Sequence, residues 1–97
     1  MVALTAHYRC RDGCSERVSE VLTSYAPLVR SEPGCLLFLA YRHAEDLNEF
    51  TLVEEYLNED ALEAHMSSKH FKDVIQKQIV PLLELRERTL LISLNEL

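Results

Sequence analysis

Glu32-Pro33-Gly34-Cys35-Leu36-Leu37-Phe38-Leu39-Ala40-Tyr41 is the stretch that decides the fold of this chain. Pro33 has no N–H to continue a helical ladder, and Gly34 permits positive φ, so the pair stops a helix. A nearly continuous apolar run follows at once, and it predicts a strand over residues 35–43. A strand apolar on both faces is buried on both faces. Helices cover only one face of a small sheet, so the other face must pack against something. The sheet of a second copy is the obvious candidate.

Upstream, Val18, Val21, Leu22, Tyr25, Ala26 and Val29 recur with helical period and predict a helix over residues 15–31. Ser15 is its expected N-cap. Pro27 should kink or divide it. Residues 2–10 read as a first strand, with Leu4, Ala6 and Tyr8 on one face, closed by the turn Arg11-Asp12-Gly13. Downstream, residues 50–57 alternate as a strand with Phe50, Leu52, Glu54 and Tyr56 together. Asn58 caps a short helix over residues 59–66, and Ser67 or Ser68 caps another over residues 69–78, which Pro81 ends. Residues 84–94 form the last strand. The order is α+β, a ferredoxin-like βαββααβ arrangement with a four-stranded antiparallel sheet. The two-faced second strand makes a dimeric α+β barrel the expected assembly, with residues 1–97 as one domain.

Composition narrows the function. The formal net charge is −6 and the ten Lys and Arg are scattered, so nothing is built to neutralise phosphates, and nucleic acid is not an expected partner. No apolar stretch approaches the roughly 20 residues of a membrane span. The start, Met1-Val2-Ala3-Leu4, lacks a basic region and a cleavage site. Three cysteines without framework spacing predict reduced thiols and a cytoplasmic location. His7, Cys10 and Cys14 do not match zinc spacing and offer no fourth ligand, so no metal is expected there.

The residues suited to chemistry are few. His65 shares the inward helix face of Ala61 and Leu62, where a neutral imidazole can act as a general base or as a structural donor. His70 lies in the first turn of the next helix, whose dipole disfavours a protonated ring; pocket edge and solvated residue are both open readings. Glu54 lies mid-strand among apolar neighbours. If buried it needs a partner, and Arg42, Arg86 and Arg88 are the candidates. Tyr41, Tyr56, Phe38 and Phe71 stand on apolar elements and can line a pocket for a flat ring or fill a core.

Three motifs in this order resemble the antibiotic biosynthesis monooxygenase family, from Leu4 to about Leu94. They are the helix ending in Glu32-Pro33-Gly34-Cys35, the strand Phe50-Thr51-Leu52-Val53-Glu54-Glu55-Tyr56, and the segment from Asn58 through Ala64, His65, Ser68, His70 and Phe71. The resemblance implies a small dimeric protein that oxidises phenols or quinols with molecular oxygen and no cofactor. It implies His65, His70 and Glu54 as catalytic groups, and Phe50, Tyr41, Phe71 and Tyr56 as substrate contacts. The haem-degrading branch relies on an Asn, a Trp and a His where this chain has Ala6, His65 and Ile75, so the iron ligand is gone. A proton-transfer branch acting on a phosphorylated metabolite shares Phe50, Glu54, Tyr56 and His65. An isomerase and a non-catalytic dimeric ligand-binding domain are the alternative expectations.

Overall fold

The structure is a computed structural model that describes residues 1–95. Its elements are β1 (Val2–Cys10), α1 (Ser15–Arg30), β2 (Cys35–Arg42), β3 (Glu49–Tyr56), α2 (Glu59–Ser67), α3 (Phe71–Ile79), a single 3-10 turn (Val80–Leu82) and β4 (Leu83–Leu91). The sheet runs β2-β3-β1-β4 with every neighbouring pair antiparallel, the split arrangement expected from the element order.

Period-two alternation sets which face is covered. Leu4, Ala6, Tyr8 and Cys10 of β1 and Phe50, Leu52, Glu54 and Tyr56 of β3 all turn under the helices. The apolar stripe of α1 meets them: Val18, Val21, Leu22, Tyr25, Ala26 and Val29 are buried as predicted. Phe71, Ile75 and Ile79 of α3 complete this core. Their spacing of four suits the wide turns of a π-helix, and the Val80 N–H bonds the Ile75 carbonyl five residues back. An ordinary helix was expected there.

Several local expectations are corrected. The N-cap of α1 is Cys14, without a side-chain hydrogen bond, rather than Ser15, which is already helical. Pro27 does not divide α1, which runs through it. Proline removes one N–H, but its carbonyl still accepts from Ser31 and holds the last turn together. Gly34 has no positive φ; Gly13 (φ 85°) is the only glycine that does. Gly34 is required for a different reason: a Cβ there would lie 2.3 Å from the Ala61 Cβ, so the loop and α2 pack together without one. β4 ends at Leu91, and Ile92 and Leu94 project into solvent.

Within this one chain β2 is not buried on both faces. Phe38 is buried, while Leu36 and Tyr41 are more than half exposed. Leu37, Leu39 and Tyr41 pair with Glu55, Val53 and Thr51 and therefore share the sheet face that no helix covers.

Candidate functional site

Glu32 follows the C-terminal end of α1, where the helix dipole disfavours an anion, so its carboxylate needs partners from elsewhere. The loop that carries it is tightly tied. The Glu32 N–H bonds the Val29 carbonyl, the Cys35 N–H bonds the Glu32 carbonyl, and the Leu57 N–H bonds the Gly34 carbonyl at 2.8 Å. The last bond joins the loop to the end of β3, beside the start of α2.

α2 begins as predicted: Asn58 Oδ1 accepts from the Ala61 N–H at 2.8 Å. It ends at Ser68, whose hydroxyl donates to the His65 carbonyl at 2.7 Å and accepts from the Phe71 N–H at 3.2 Å. That serine bridges α2 to α3 and fixes the spacing between His65 and His70.

The result is a cluster. His65 Nδ1 lies 3.1 and 2.9 Å from the two carboxylate oxygens of Glu32. His70 Nε2 lies 2.5 Å from Glu32 Oε2. On the other side of the His65 ring, Nε2 lies 3.7 Å from Glu54 Oε1, which accepts the Tyr56 hydroxyl at 2.6 Å. A carboxylate only accepts, so each ring nitrogen facing Glu32 carries a proton. In a neutral His65 this leaves the Nε2 lone pair free and turned toward Glu54. Aromatic rings enclose the imidazole: Tyr56 at 5.0 Å between centroids, Phe71 edge-on at 5.2 Å and Tyr25 at 6.4 Å. The His65 side chain is 4% exposed and that of His70 26%, so His70 is where the cluster meets solvent.

Burial pushes the Glu54 carboxyl above the usual carboxylate range, against the opposing pull of the Tyr56 hydroxyl and of His65. Burial, reinforced by the Glu54 charge, likewise raises the Tyr56 phenol. The Tyr25 phenol is raised by burial too, and its hydroxyl has no hydrogen-bond partner among the described residues. Tyr25 forms the wall of a cleft of about 330 Å³ between α1 and α3, which Val21, Leu28 and Val74 also line. None of Glu32, His65 and His70 lines that cleft.

The structure therefore brings together His65, His70, Glu54, Tyr56 and Phe71. Phe50 is buried at the other end of β3, with the Arg42 guanidinium 5.6 Å from its ring centroid. Tyr41 is 54% exposed and outside the cluster. Of the arginines expected to neutralise Glu54, Arg42 binds Glu16 and the Leu47 carbonyl and Arg86 acts on Tyr8, while Arg88, which touches Met66 Sδ, pulls the Glu54 carboxyl down less than Tyr56 and His65 do. The strand period explains the difference, since it sets Tyr56 beside Glu54 on the same face. Glu32 was not singled out as a site residue. Its signal was an acidic side chain just past a helix C-terminus, and the nearby Arg30 is taken by the Phe38 carbonyl.

The sequence model of the family described as antibiotic biosynthesis monooxygenase matches residues 1–77. No protein with a curated description matches. Among solved structures, Rv0793 from Mycobacterium tuberculosis is 28% identical with a TM-score of 0.89, covering 98% of this chain and 96% of that one. PA3566 from Pseudomonas aeruginosa is 25% identical, also with a TM-score of 0.89, covering 96% and 93%. A structure described as an antibiotic biosynthesis monooxygenase shares the fold at 20% identity and a TM-score of 0.89, covering 96% and 98%.

Proposed function

We propose, on the premise that this chain belongs to the antibiotic biosynthesis monooxygenase family, that it is a cofactor-independent monooxygenase of a small phenol- or quinol-type substrate. One observation carries the reading: a buried imidazole is held through Nδ1 by a carboxylate, with Nε2 on the opposite side of the ring in an aromatic enclosure, where a neutral ring presents its lone pair. That is the arrangement of an oriented general base.

The chemistry needs little more. Ground-state oxygen is a triplet and reacts with a neutral singlet substrate only across a spin barrier. A phenolate can pass one electron to oxygen instead. His65 takes the phenol proton at Nε2, and Glu32 stabilises the imidazolium through Nδ1. The phenoxyl radical and superoxide then combine at a ring carbon. Loss of water leaves a product with one added oxygen and two fewer hydrogens, the second oxygen atom having left in that water. The dry surroundings protect the radical pair. Phe71 and Tyr56 supply faces for a flat ring, with Phe50 and Tyr41 as more distant contacts.

A second copy on the open sheet face completes the expected dimer, supported by the exposed Tyr41 of β2 and by Leu37 and Leu39 on the same face. The three cysteines are free, in keeping with a reducing cytoplasm, and no helix among the described residues is long and apolar enough to cross a membrane. A proton-transfer enzyme is the second reading, favoured by two buried titratable groups side by side, His65 Nε2 at 3.7 Å from Glu54 Oε1, the Glu54 carboxyl being raised by burial.

Oxygen uptake decides between them. Purified protein in chelator-treated buffer is assayed against quinols and anthrone-like phenols. Saturable uptake that His65→Gln removes establishes the oxygenase; no uptake across the panel overturns it. Glutamine is the better probe because an alanine would leave Glu32 and Glu54 facing an empty space.

A further inference from the structure

We infer that Glu32, His65 and His70 form a binding site for one divalent transition-metal ion, zinc in class, and that its occupation withdraws His65 as a base. One ligand atom from each residue lies within 4.8 Å of the other two. The three come from separate segments, the loop after α1, the end of α2 and the residue before α3, so the cluster is a product of tertiary packing. Two imidazoles and a carboxylate are a donor set of borderline softness. They suit Zn²⁺, Ni²⁺ and Co²⁺, not Ca²⁺ or Mg²⁺, which take oxygen ligands.

Distances fit with small adjustment. Ligand atoms about 2.0–2.2 Å from zinc stand roughly 3.3–3.6 Å apart in a tetrahedron. The present separations from Glu32 Oε2 are 2.9 Å to His65 Nδ1 and 2.5 Å to His70 Nε2, so these two lengthen by about an ångström or less, while the two imidazole nitrogens, within 4.8 Å of each other, settle to the same spacing. An acceptor stands behind one of the ligands as well. Metal-binding histidines donate their other N–H to a carboxylate or carbonyl. Coordination through Nδ1 moves the His65 proton to Nε2, where Glu54 Oε1 already stands at 3.7 Å. This gives the buried Glu54 a role beyond accepting the Tyr56 hydroxyl. Three protein ligands leave a fourth position, on the side of the partly exposed His70.

The same tautomer change has a functional consequence. Nε2 is the proposed proton acceptor, and in the metal-bound ring it carries a proton. The ion is thus an inhibitor, a conclusion that rests on the proposed role of His65, whereas the binding itself does not.

The test is titration of the chelator-treated full chain with ZnCl2 by calorimetry, and with CoCl2 by visible absorption. One ion per chain is expected, with Co²⁺ bands that lack thiolate charge transfer. His70→Ala, which removes a partly exposed ring, and Glu32→Gln, which keeps its shape, should each weaken binding at least about a hundredfold. Glu54→Gln should weaken it about 10–100-fold, and His43→Ala, at a histidine just after β2 whose Nε2 lies 2.7 Å from Thr51 Oγ1, should leave it unchanged. Affinity unaltered in both His70→Ala and Glu32→Gln, or a thiolate band placing the ion on the cysteines, overturns the site. No substrate is needed, so these results stand even if oxygen uptake is never found. Where uptake is found, zinc should suppress it and chelator restore it; undiminished turnover of the zinc-loaded protein overturns the inhibitory role.

Discussion

Gly34 and Ala61 pack so closely that a Cβ built on the glycine would come within 2.3 Å of the alanine Cβ and 3.4 Å of its Cα. The loop bearing Glu32 and the helix bearing His65 are held at backbone distance by that contact. Gly34→Ala must push α2 away, because the atoms it meets belong to a helix and not to the end of a flexible side chain. The expected loss of stability is about 1–3 kcal/mol. Chemical denaturation measures it, and an unchanged midpoint would show that α2 is free to shift.

Glu32 fixes the tautomer of His65. In Glu32→Gln the amide N–H can face Nδ1 and drive the ring proton to Nε2, which removes the base without removing the ring. Turnover of a phenol should fall by about 10²–10⁴. The pH–rate profile separates this from a folding defect. Activity should return as pH approaches the phenol's own pKa, about 10, where the substrate ionises without help. A uniformly depressed profile would argue for structural damage instead.

The Tyr56 hydroxyl donates to Glu54 Oε1 in a setting where both side chains are buried. Tyr56→Phe leaves that carboxylate oxygen short of a donor and should cost about 1–3 kcal/mol. The loss of a donor to the charged form should also raise the already elevated Glu54 pKa further. Denaturation at neutral pH reads the first effect, and carboxyl titration by NMR reads the second. A stability within error of the parent would mean that water replaces the hydroxyl.

Leu39 belongs to the uncovered sheet face and to neither buried cluster. If a second copy covers that face, Leu39→Asp buries a charge at the interface and the assembly dissociates. Sedimentation velocity should then show a folded monomer. Persistence of the dimer would place the interface elsewhere.

Asp46 accepts hydrogen bonds from the Arg9 guanidinium and the Asn48 N–H, and these hold its carboxyl below the usual range, with Arg9 the leading cause. A lowered folded-state pKa contributes stability that is complete above the unfolded value, about 3.9, and is lost as pH falls through the folded value. The parent should therefore exceed Asp46→Asn in Tm at neutral pH and low salt, and the difference should vanish in stronger acid. Because the pair is exposed, added salt should shrink it. A difference constant with pH would exclude the ion pair as its source.

Much of this architecture was legible because it is recorded locally. The period-two runs of β1 and β3, the helical stripe of α1, the Asn58 cap and the inward face of His65 each depend on residues within a few positions of one another. Sequence spacing determines which face such a residue takes, and the structure places all of them accordingly. What only tertiary packing decided is partnership across distance. Glu32 meets His65 across 33 positions and His70 across 38, and no periodicity encodes such a meeting. The reason for Gly34 was legible only once Ala61 stood against it, and Glu54 meets Tyr56 and His65 directly, with the Arg88 charge a lesser pull, because of where strand and helix brought them. Local rules fix the direction of each side chain, whereas the long-range docking of α1, α2 and β3 fixes what it touches.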